Sequence, residues 1–236
     1  MTQPPRKRMV RLPSGGSEAG RGKPERLKTA KQRTASQQAW LERQLNDPFA
    51  ARARAHGYRS RAAYKLSEID DRFHLLKPGA RVIDLGMAPG GWAQVVRQRC
   101  PRAQLVGIDL LPVDPIDGVE ILQMDFMDEA APGLLAAALG GPADLVLSDM
   151  AANTVGHART DHLRTMALVE AAAAFAGEVL RPGGAFVAKV LAGGADATMV
   201  AELKRAFATV KHAKPPASRK ESSEWYVIAQ GFKGAV

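Results

Sequence analysis

The sequence predicts an α/β protein with a doubly wound, mostly parallel sheet of seven strands and a terminal antiparallel strand. Short apolar segments that end in a carboxylate alternate with helical segments through most of the chain, a pattern typical of parallel sheets covered by helices. The last two strand-like segments, 209–213 and 225–231, are joined by a link that contains two prolines. This arrangement favours an antiparallel hairpin at the edge of the sheet.

Helices are predicted where apolar residues recur every three or four positions between start and stop residues. They lie over 36–56 with a break at Asp47 and Pro48, over 60–72 with Ser60 as the cap, over 92–99, over an alanine-rich segment up to Gly140, over 160–180 and over 195–208. Strands are predicted over 82–85, 105–109, 119–124, 144–149, 185–190, 209–213 and 225–231. The segment 181–184, Arg-Pro-Gly-Gly, is expected to end the long helix.

The stretch 81–92 is the centre of the predicted fold. An apolar strand runs into a turn with glycines at positions 86, 90 and 91, which lets the backbone turn tightly and approach a ligand closely. The spacing G-x-x-x-G-G matches neither the dinucleotide pattern G-x-G-x-x-G nor the phosphate-binding pattern G-x-x-x-x-G-K-[ST]. A purely structural corner between strand and helix is the alternative.

Positive charge is concentrated at the N-terminus. The 236 residues have a formal net charge of +9, and residues 1–35 carry ten Lys or Arg against two Glu. A segment this basic and this poor in large apolar groups is predicted to be a disordered tail that contacts RNA. A solubilising tail and an organellar transit peptide are the alternatives. The folded domain is predicted over 36–233, with N-terminal helices over 36–78 and the core over 79–233.

Composition argues against several classes of protein. No apolar run approaches the ~18 residues that a membrane span needs, and no secretory signal is evident, so we expect a cytoplasmic protein without a membrane partner. The single cysteine, Cys100, is expected at a helix end and rules out an internal disulfide and a multi-cysteine metal site. His157 and His162 lack a metal-like set of partners, and no metal is expected.

Acidic residues follow the predicted strands at their carboxyl ends. Asp109 lies 23 residues after Gly86, where Rossmann-like folds bind a ribose diol. Asp125 follows the third strand at a position suited to an adenine, and Asp149 ends the fourth strand. Together with Asp84, these residues are predicted to share one rim of the sheet. A ligand that contains a nucleoside is therefore favoured over a structural corner.

Two lysines lead to different expectations. Lys189 interrupts the apolar fifth strand, where an unpaired amine is costly, and this indicates a paired or functional side chain. Lys65 follows Arg61 by four residues and precedes Glu68 by three, a spacing typical of solvated helix pairs. Local reasoning alone therefore predicts an exposed Lys65. Glu224 directly precedes the last strand.

Seven motifs resemble those of the FtsJ/RrmJ family of S-adenosylmethionine-dependent ribose 2′-O-methyltransferases, over about residues 36–233. The motifs begin at Ser60 (S-R-A-A-Y-K-L), Asp84 (D-L-G-M-A-P-G-G-W), Asp109 (D-L-L-P-V-D-P), Gln123 (Q-M-D-F), Ser148 (S-D-M), Lys189 (K-V) and Ser223 (S-E-W-Y). The resemblance implies a Rossmann-like methyltransferase fold with S-adenosylmethionine as the cofactor. The family usually has proline where this chain has Ala152, and we expect a looser loop there with the chemistry retained.

The same resemblance implies roles for particular side chains. It assigns the target ribose to a tetrad, Lys65, Asp149, Lys189 and Glu224, and the cofactor contacts to Gly90, Trp92, Asp109, Asp125 and Asp149. Lys189 would act either as a general base, which requires a neutral amine, or as a group that steers the hydroxyl. The sequence leaves both roles open.

The implied reaction is methyl transfer to the ribose 2′-hydroxyl of a specific uridine in 23S ribosomal RNA, within the large subunit, by a monomeric protein with no DNA partner. Methylation of another structured RNA such as tRNA and a non-catalytic RNA-binding module are the alternatives. The glycine spacing argues against an NAD-linked dehydrogenase. Methylation of a base is disfavoured because no [DN]-P-P-[FY] loop and no suitably placed cysteine are present.

Overall fold

The computed structural model describes residues 47–152, 158–191, 197–219 and 221–234. The chain divides after Pro48, and the unit Phe49–Val236 contains the whole sheet. The helices are α1 (Pro48–Ala55), α2 (Ala62–Phe73), α3 (Gly91–Arg99), α4 (Ala131–Leu139), α5 (Ala158–Val179) and α6 (Ala197–Ala206). The predicted tail, most of the predicted helical segment 36–56 and the predicted boundary at residue 35 lie outside the described residues.

Seven strands form one sheet in the order β3-β2-β1-β4-β5-β7-β6. They are β1 (Arg81–Leu85), β2 (Gln104–Asp109), β3 (Val119–Gln123), β4 (Ala143–Ser148), β5 (Leu180–Leu191), β6 (Phe207–Ala213) and β7 (Glu224–Phe232). The first five pair in parallel, and β7 is antiparallel to both β5 and β6. The predicted fold class and the hairpin at the sheet edge are confirmed, with β7 as the inner strand of the hairpin.

The direction of winding reverses at β1. Strands β2 and β3 lie on one side of β1, and β4 and β5 lie on the other. In open α/β sheets, ligands bind outside the carboxyl ends of the strands at such a reversal. The loops after β1, β2 and β4 therefore mark where a ligand site is expected.

The sheet is buried on both faces, as the nearly continuous apolar strands predict. On one face, α2 and α3 pack against it, and the core there includes Leu66, Trp92 and Tyr226. On the other face, α4, α5 and α6 cover a second core that includes Leu135 and Phe186. Side chains of β1 alternate between these cores, and Asp84 shares the α2 and α3 face with its strand neighbour Val82.

Several element boundaries differ from the sequence prediction, and two of the differences concern a predicted start signal and a predicted stop signal. Helix α2 begins at Ala62 with Arg61 as the N-cap, and the buried Ser60 hydroxyl lies against Gly91 at the start of α3 without a hydrogen-bond partner among the described residues. Strand β5 begins at Leu180, so the segment 181–184 belongs to a strand and does not simply end the helix. An ion pair from Arg181 Nε to Asp144 Oδ1, at 2.5 Å, ties this segment to β4 across a register shift.

Candidate active site

The loop after β1 is closed by glycines that the packing of neighbouring loops requires. Gly86 has φ +78°, and a Cβ there would lie 2.8 Å from the backbone nitrogen of Met150 in the loop after β4. Gly90 has φ +102°, and a Cβ there would lie 2.7 Å from Cδ1 of Ile116. Since L side chains rarely adopt such φ values, only glycine lets these loops approach one another.

A cleft of about 340 Å³ opens at the reversal of the sheet. This volume lies within the range of small-molecule sites. Its walls come from the loops after β1, β2, β3 and β4 and from α5, and its lining residues are Gly86, Ala88, Ile108, Asp109, Leu110, Leu111, Met124, Asp125, Phe126, Asp149, Met150, Ala151 and Leu168. Both apolar and carboxylate surfaces therefore face one space, as a ligand with an aromatic base and a polar sugar requires.

Backbone groups orient the carboxylates of the cleft. Asp109 Oδ2 accepts a hydrogen bond from the Ala88 N–H at 2.8 Å, and Oδ1 accepts one from the Leu111 N–H at 2.8 Å. Asp125 Oδ1 accepts the Met127 N–H at 2.9 Å. A carboxylate oxygen has two lone pairs, so each of these oxygens can accept a further hydrogen bond from a ligand.

Two of the predicted cofactor residues lie outside the lining of the cleft. The Trp92 side chain is 3 % exposed, its indole N–H donates to the Ala62 carbonyl at 2.9 Å, and its ring lies 5.8 Å from that of Tyr226. This side chain packs α3 against α2 and β7. Gly90, in the loop after β1, is the N-cap residue of α3. Their predicted contact with a cofactor stays a prediction.

Lys189 and Asp149 form an ion pair at the edge of the cleft. Lys189 Nζ lies 3.3 Å from Asp149 Oδ1 and donates a hydrogen bond to the Asp149 carbonyl at 2.6 Å. The parallel pairing of β4 with β5 brings these two positions together at adjacent strand ends. The Lys189 side chain is only 7 % exposed, and the pairing with Asp149 satisfies the amine inside an apolar strand.

Lys65 and Glu224 form a second ion pair. Lys65 Nζ lies 3.0 Å from Glu224 Oε2, and the Lys65 side chain is 9 % exposed. The expectation that Lys65 is a solvated lysine is therefore wrong. Helix α2 turns this side chain toward the sheet, where Nζ lies 5.8 Å from the centre of the Tyr226 ring. Side-chain spacing within one helix carries no information about the strand that packs against it.

Tyr226 connects the two ion pairs. It lies opposite Lys189 in the pairing of β5 with β7, and its hydroxyl donates to Asp149 Oδ1 at 2.8 Å. Burial, reinforced by the charges of Asp149 and Glu224, holds the pKa of Tyr226 well above its ordinary value, so the hydroxyl remains a donor. Sequence reasoning gave this residue no role. Its position two residues after Glu224, on the same face of a strand, is the signal that could have identified it.

All four predicted tetrad residues thus meet on one side of the cleft, and we call Lys65, Asp149, Lys189 and Glu224 the charged cluster. Burial alone would raise the pKa of the Glu224 carboxyl, but Lys65 lowers it below its ordinary value, and Lys189 adds to this effect. Glu224 is therefore ionised at neutral pH. Two lysines and two carboxylates thus lie together in two ion pairs beside the cleft.

Asp84 lies inside the protein and does not face the rim. Its side chain is completely buried, and neither carboxylate oxygen has a hydrogen-bond partner among the described residues. Burial, reinforced by the charges of Asp149 and Asp109, raises the pKa of Asp84 to about 8. The prediction that Asp84 shares the rim with the other carboxylates is therefore wrong. Its position near the end of β1 did not determine whether its side chain is exposed.

Comparison with protein families decides the identity of the fold. The family described as FtsJ-like methyltransferase matches residues 58–232, which include the cleft and the charged cluster. The chain belongs to this family of methyltransferases. Its membership confirms the family resemblance of the seven motifs and makes the protein an enzyme that requires a methyl donor.

Individual relatives agree with the family assignment. The chain is 73 % identical over 218 residues to the ribosomal RNA large subunit methyltransferase E of Rhizorhabdus wittichii, covering 92 % of this chain and 95 % of that protein. It is 62 % identical over 226 residues to the protein of the same name from Caulobacter vibrioides, covering 96 % and 100 %. Among solved structures, a ribosomal RNA methyltransferase of Plasmodium falciparum matches with a TM-score of 0.67 and 29 % identity, covering 75 % of this chain and 100 % of that one.

Two further properties of this FtsJ-like methyltransferase concern metals and membranes. Within the described residues, no three His, Cys, Asp or Glu side chains lie close enough together to bind a metal ion. His157 lies outside those residues. None of the described helices has the length and apolar character that crossing a membrane requires.

Proposed function

We propose that this FtsJ-like methyltransferase transfers a methyl group from S-adenosylmethionine to the ribose 2′-hydroxyl of a uridine in 23S ribosomal RNA, with the large ribosomal subunit as the substrate. The observation that carries the proposal is the charged cluster at the border of the cleft, since Asp149 belongs to both. The names of the relatives, ribosomal RNA large subunit methyltransferase E, support the choice of RNA.

The cleft suits S-adenosylmethionine as the methyl donor. Asp109 has free lone pairs for a ribose diol, and Asp125 lies on the next loop for the adenine end. Exposed apolar side chains of Leu110 and Leu111 face the same space. When bound, this cofactor supplies a methyl group that its positive sulfonium already activates.

The charged cluster suits the acceptor hydroxyl. A ribose hydroxyl is a poor nucleophile, so the main contribution of the protein is to hold it in position and to manage its proton. Lys189 Nζ is suited to this purpose, because the carboxylate and the backbone carbonyl of Asp149 both hold the amine in place. Lys65 contacts the ring of Tyr226 and pairs with Glu224. This second ion pair is suited to bind the other polar atoms of the ribose.

The test uses ribosomal particles from cells that lack this protein. Purified wild-type protein, S-adenosylmethionine and either intact large subunits or free 23S RNA are incubated, and 2′-O-methylated positions are mapped. One uridine in the large-subunit RNA is expected to gain a methyl group, with faster transfer in the intact subunit. Methylation of tRNA alone, of a base, or of no RNA would contradict the proposal. Calorimetric titration with S-adenosylmethionine and with NAD is expected to show binding of the first only.

The basic residues 1–35 are proposed to add RNA contacts that do not depend on sequence. Neutralised phosphates release counterions, so deletion of these residues should weaken RNA binding and flatten its dependence on salt concentration. Affinity for S-adenosylmethionine should remain unchanged. The measurement is RNA affinity over a series of salt concentrations for the full and the shortened chain. Equal salt slopes would identify these residues as a solubilising segment.

A further inference from the structure

Ala217, in the connection between β6 and β7, is bonded to two charged side chains at the start and in the middle of α2. The Ala217 N–H donates to Oε2 of Glu68 at 2.7 Å, and the Ala217 carbonyl accepts a hydrogen bond from the guanidinium of Arg61. Ala217 is completely buried and packs in a small cluster with Ala53 and Tyr64. Both backbone polar groups of this one residue are therefore held by charged side chains of the α2 segment.

The same side of α2 carries a member of the charged cluster. Arg61, Lys65 and Glu68 are separated by four and three residues, which places them along one face of a helix. Lys65 contacts Glu224, the first residue of β7. Helix α2 thus binds the chain leading into β7 at two points, first at Ala217 and then at Glu224.

A hydrogen bond closes the connection between β6 and β7 across Ala217. Lys214 Nζ donates to the Ser222 carbonyl at 2.6 Å, which ties the start of the connection to its end. The Glu224 N–H donates to Oγ of the same Ser222 at 3.1 Å. Ala217 therefore lies within a closed loop whose end, Ser222, bonds to the residue that contacts Lys65.

The anchoring charges are partly removed from water. Burial raises the pKa of the Glu68 carboxyl, and the Ala217 N–H acts against this rise. Burial, followed by the charge of Arg219, lowers the pKa of the Arg61 guanidinium. Charges withdrawn from water cost free energy unless they are bonded, and the bonds to Ala217 supply that compensation. Glu68 and Arg61 thus differ from a solvated helix pair.

We propose that Glu68 is a positioning residue for methyl transfer: together with Arg61 it fixes the β6–β7 connection so that Glu224 stays in contact with Lys65. The inference rests on the proposed function, because that function places the Lys65–Glu224 pair at the target ribose. Loss of the anchor lets Glu224 withdraw from Lys65 while the cleft, on the other side of Asp149, keeps its shape.

The first experiment measures single-turnover methylation at saturating cofactor and RNA. Glu68→Ala should lower the rate by about tenfold to a hundredfold, the size of effect that a displacement of about 1 Å produces. Glu68→Gln keeps an oxygen acceptor for the Ala217 N–H and should restore most of the rate. The matched control is Asp71→Ala, which removes an ion pair of the same helix with Arg99 at 2.8 Å and should leave the rate unchanged. Affinity for S-adenosylmethionine should be equal in all of them.

A double-mutant cycle separates positioning from general loss of structure. If Glu68 acts through Glu224, then Glu68→Ala should cost much less in a Glu224→Gln background than in the wild type. Independent, additive losses would overturn the proposal. Absence of methylation by the wild type would instead contradict the proposed function itself, so the two failures are distinguishable.

A pH profile provides a second test if Glu68→Ala does not fold. Glu68→Asp shortens the side chain by one methylene and should loosen the same anchor. Lys65 and Lys189 lower the pKa of Glu224, and Arg61 also interacts with its charge. Withdrawal of Glu224 from Lys65 should therefore raise this pKa and move the acidic limb of the rate profile to higher pH. A profile and rate identical to wild type for Glu68→Asp would overturn the positioning role.

Discussion

The cleft and the charged cluster meet at Asp149, yet they hold their charges in opposite ways. In the cleft, Asp109 and Asp125 are oriented by backbone N–H groups, and within the described part of the chain neither forms an ion pair. In the charged cluster, each carboxylate is paired with a lysine from a different element. One region therefore presents fixed acceptors, and the other presents charges that balance one another.

The two kinds of charge arrangement can separate binding from chemistry within one site. Fixed acceptors suit hydroxyl groups of a ligand, because no partner charge has to be displaced when it binds. Paired charges suit a site where a hydroxyl must be held and a proton moved, because each lysine remains oriented by its carboxylate. Substitutions in the cleft should therefore change affinity for the cofactor, and substitutions in the charged cluster should change the rate.

The largest effect is expected at Lys189. Lys189→Ala removes the amine that Asp149 fixes at 3.3 Å from its carboxylate, and single-turnover methylation should fall by about 10²–10⁴-fold. Affinity for S-adenosylmethionine should change little, so the loss should appear in the chemical step. The matched control is Lys211→Ala, an exposed lysine on β6. A wild-type rate for Lys189→Ala would show that the charged cluster is structural.

Lys189→Arg separates the two roles of the amine. Arginine keeps a positive charge and a similar reach, but it does not lose its proton near neutral pH. A general base predicts near-complete inactivity, and a group that only steers the hydroxyl predicts partial activity. The comparison of this variant with Lys189→Ala under the same single-turnover conditions decides between them.

The next effect concerns Asp84, the buried carboxyl between the two regions. Its pKa in the folded protein is about 8, above the ordinary value of 3.8. The unfolded chain therefore releases this proton at lower pH, so the stability that neutral Asp84 provides is complete below about pH 4 and is lost as pH rises toward about 8. The slope for one proton is about 1.4 kcal/mol per pH unit.

Asp84→Asn should remove this pH dependence and stabilise the protein at pH 8 relative to the wild type. Urea unfolding at pH 5 and pH 8 measures the effect. Asp125→Asn, at an exposed carboxylate of the same rim, is the matched control and should leave the slope unchanged. An equal pH dependence for wild type and Asp84→Asn would show that Asp84 is ionised in the folded protein.

The sequence predicted the sheet better than the environment of its side chains. Apolar runs and glycine turns are local patterns, so the seven strands could be predicted from the sequence. The burial of Lys65 depends on β7, more than 150 residues away, and local spacing predicted the opposite. The link through Tyr226 and the anchor at Ala217 are likewise contacts between distant segments. Family resemblance named the tetrad, but only the structure revealed these supporting contacts.

The smallest effect is expected at Asp109, where a substitution tests whether the cleft determines affinity for the cofactor and not the rate. The Ala88 and Leu111 N–H groups already fix this carboxylate, so its remaining lone pairs should bind the ribose diol of the cofactor without reorganisation. Asp109→Ala should weaken S-adenosylmethionine binding by about 2 kcal/mol, or about 30-fold in Kd.

Asp128→Ala is the matched control, because Asp128 Oδ1 also accepts a backbone N–H, from Ala130 at 2.9 Å, but does not line the cleft. Calorimetric titration gives the affinities, and single-turnover methylation at saturating cofactor should be close to wild type in both variants. Unchanged affinity in Asp109→Ala would show that Asp109 does not bind the ribose of the cofactor. A lowered rate at saturating cofactor would show that the cleft and the charged cluster do not act separately.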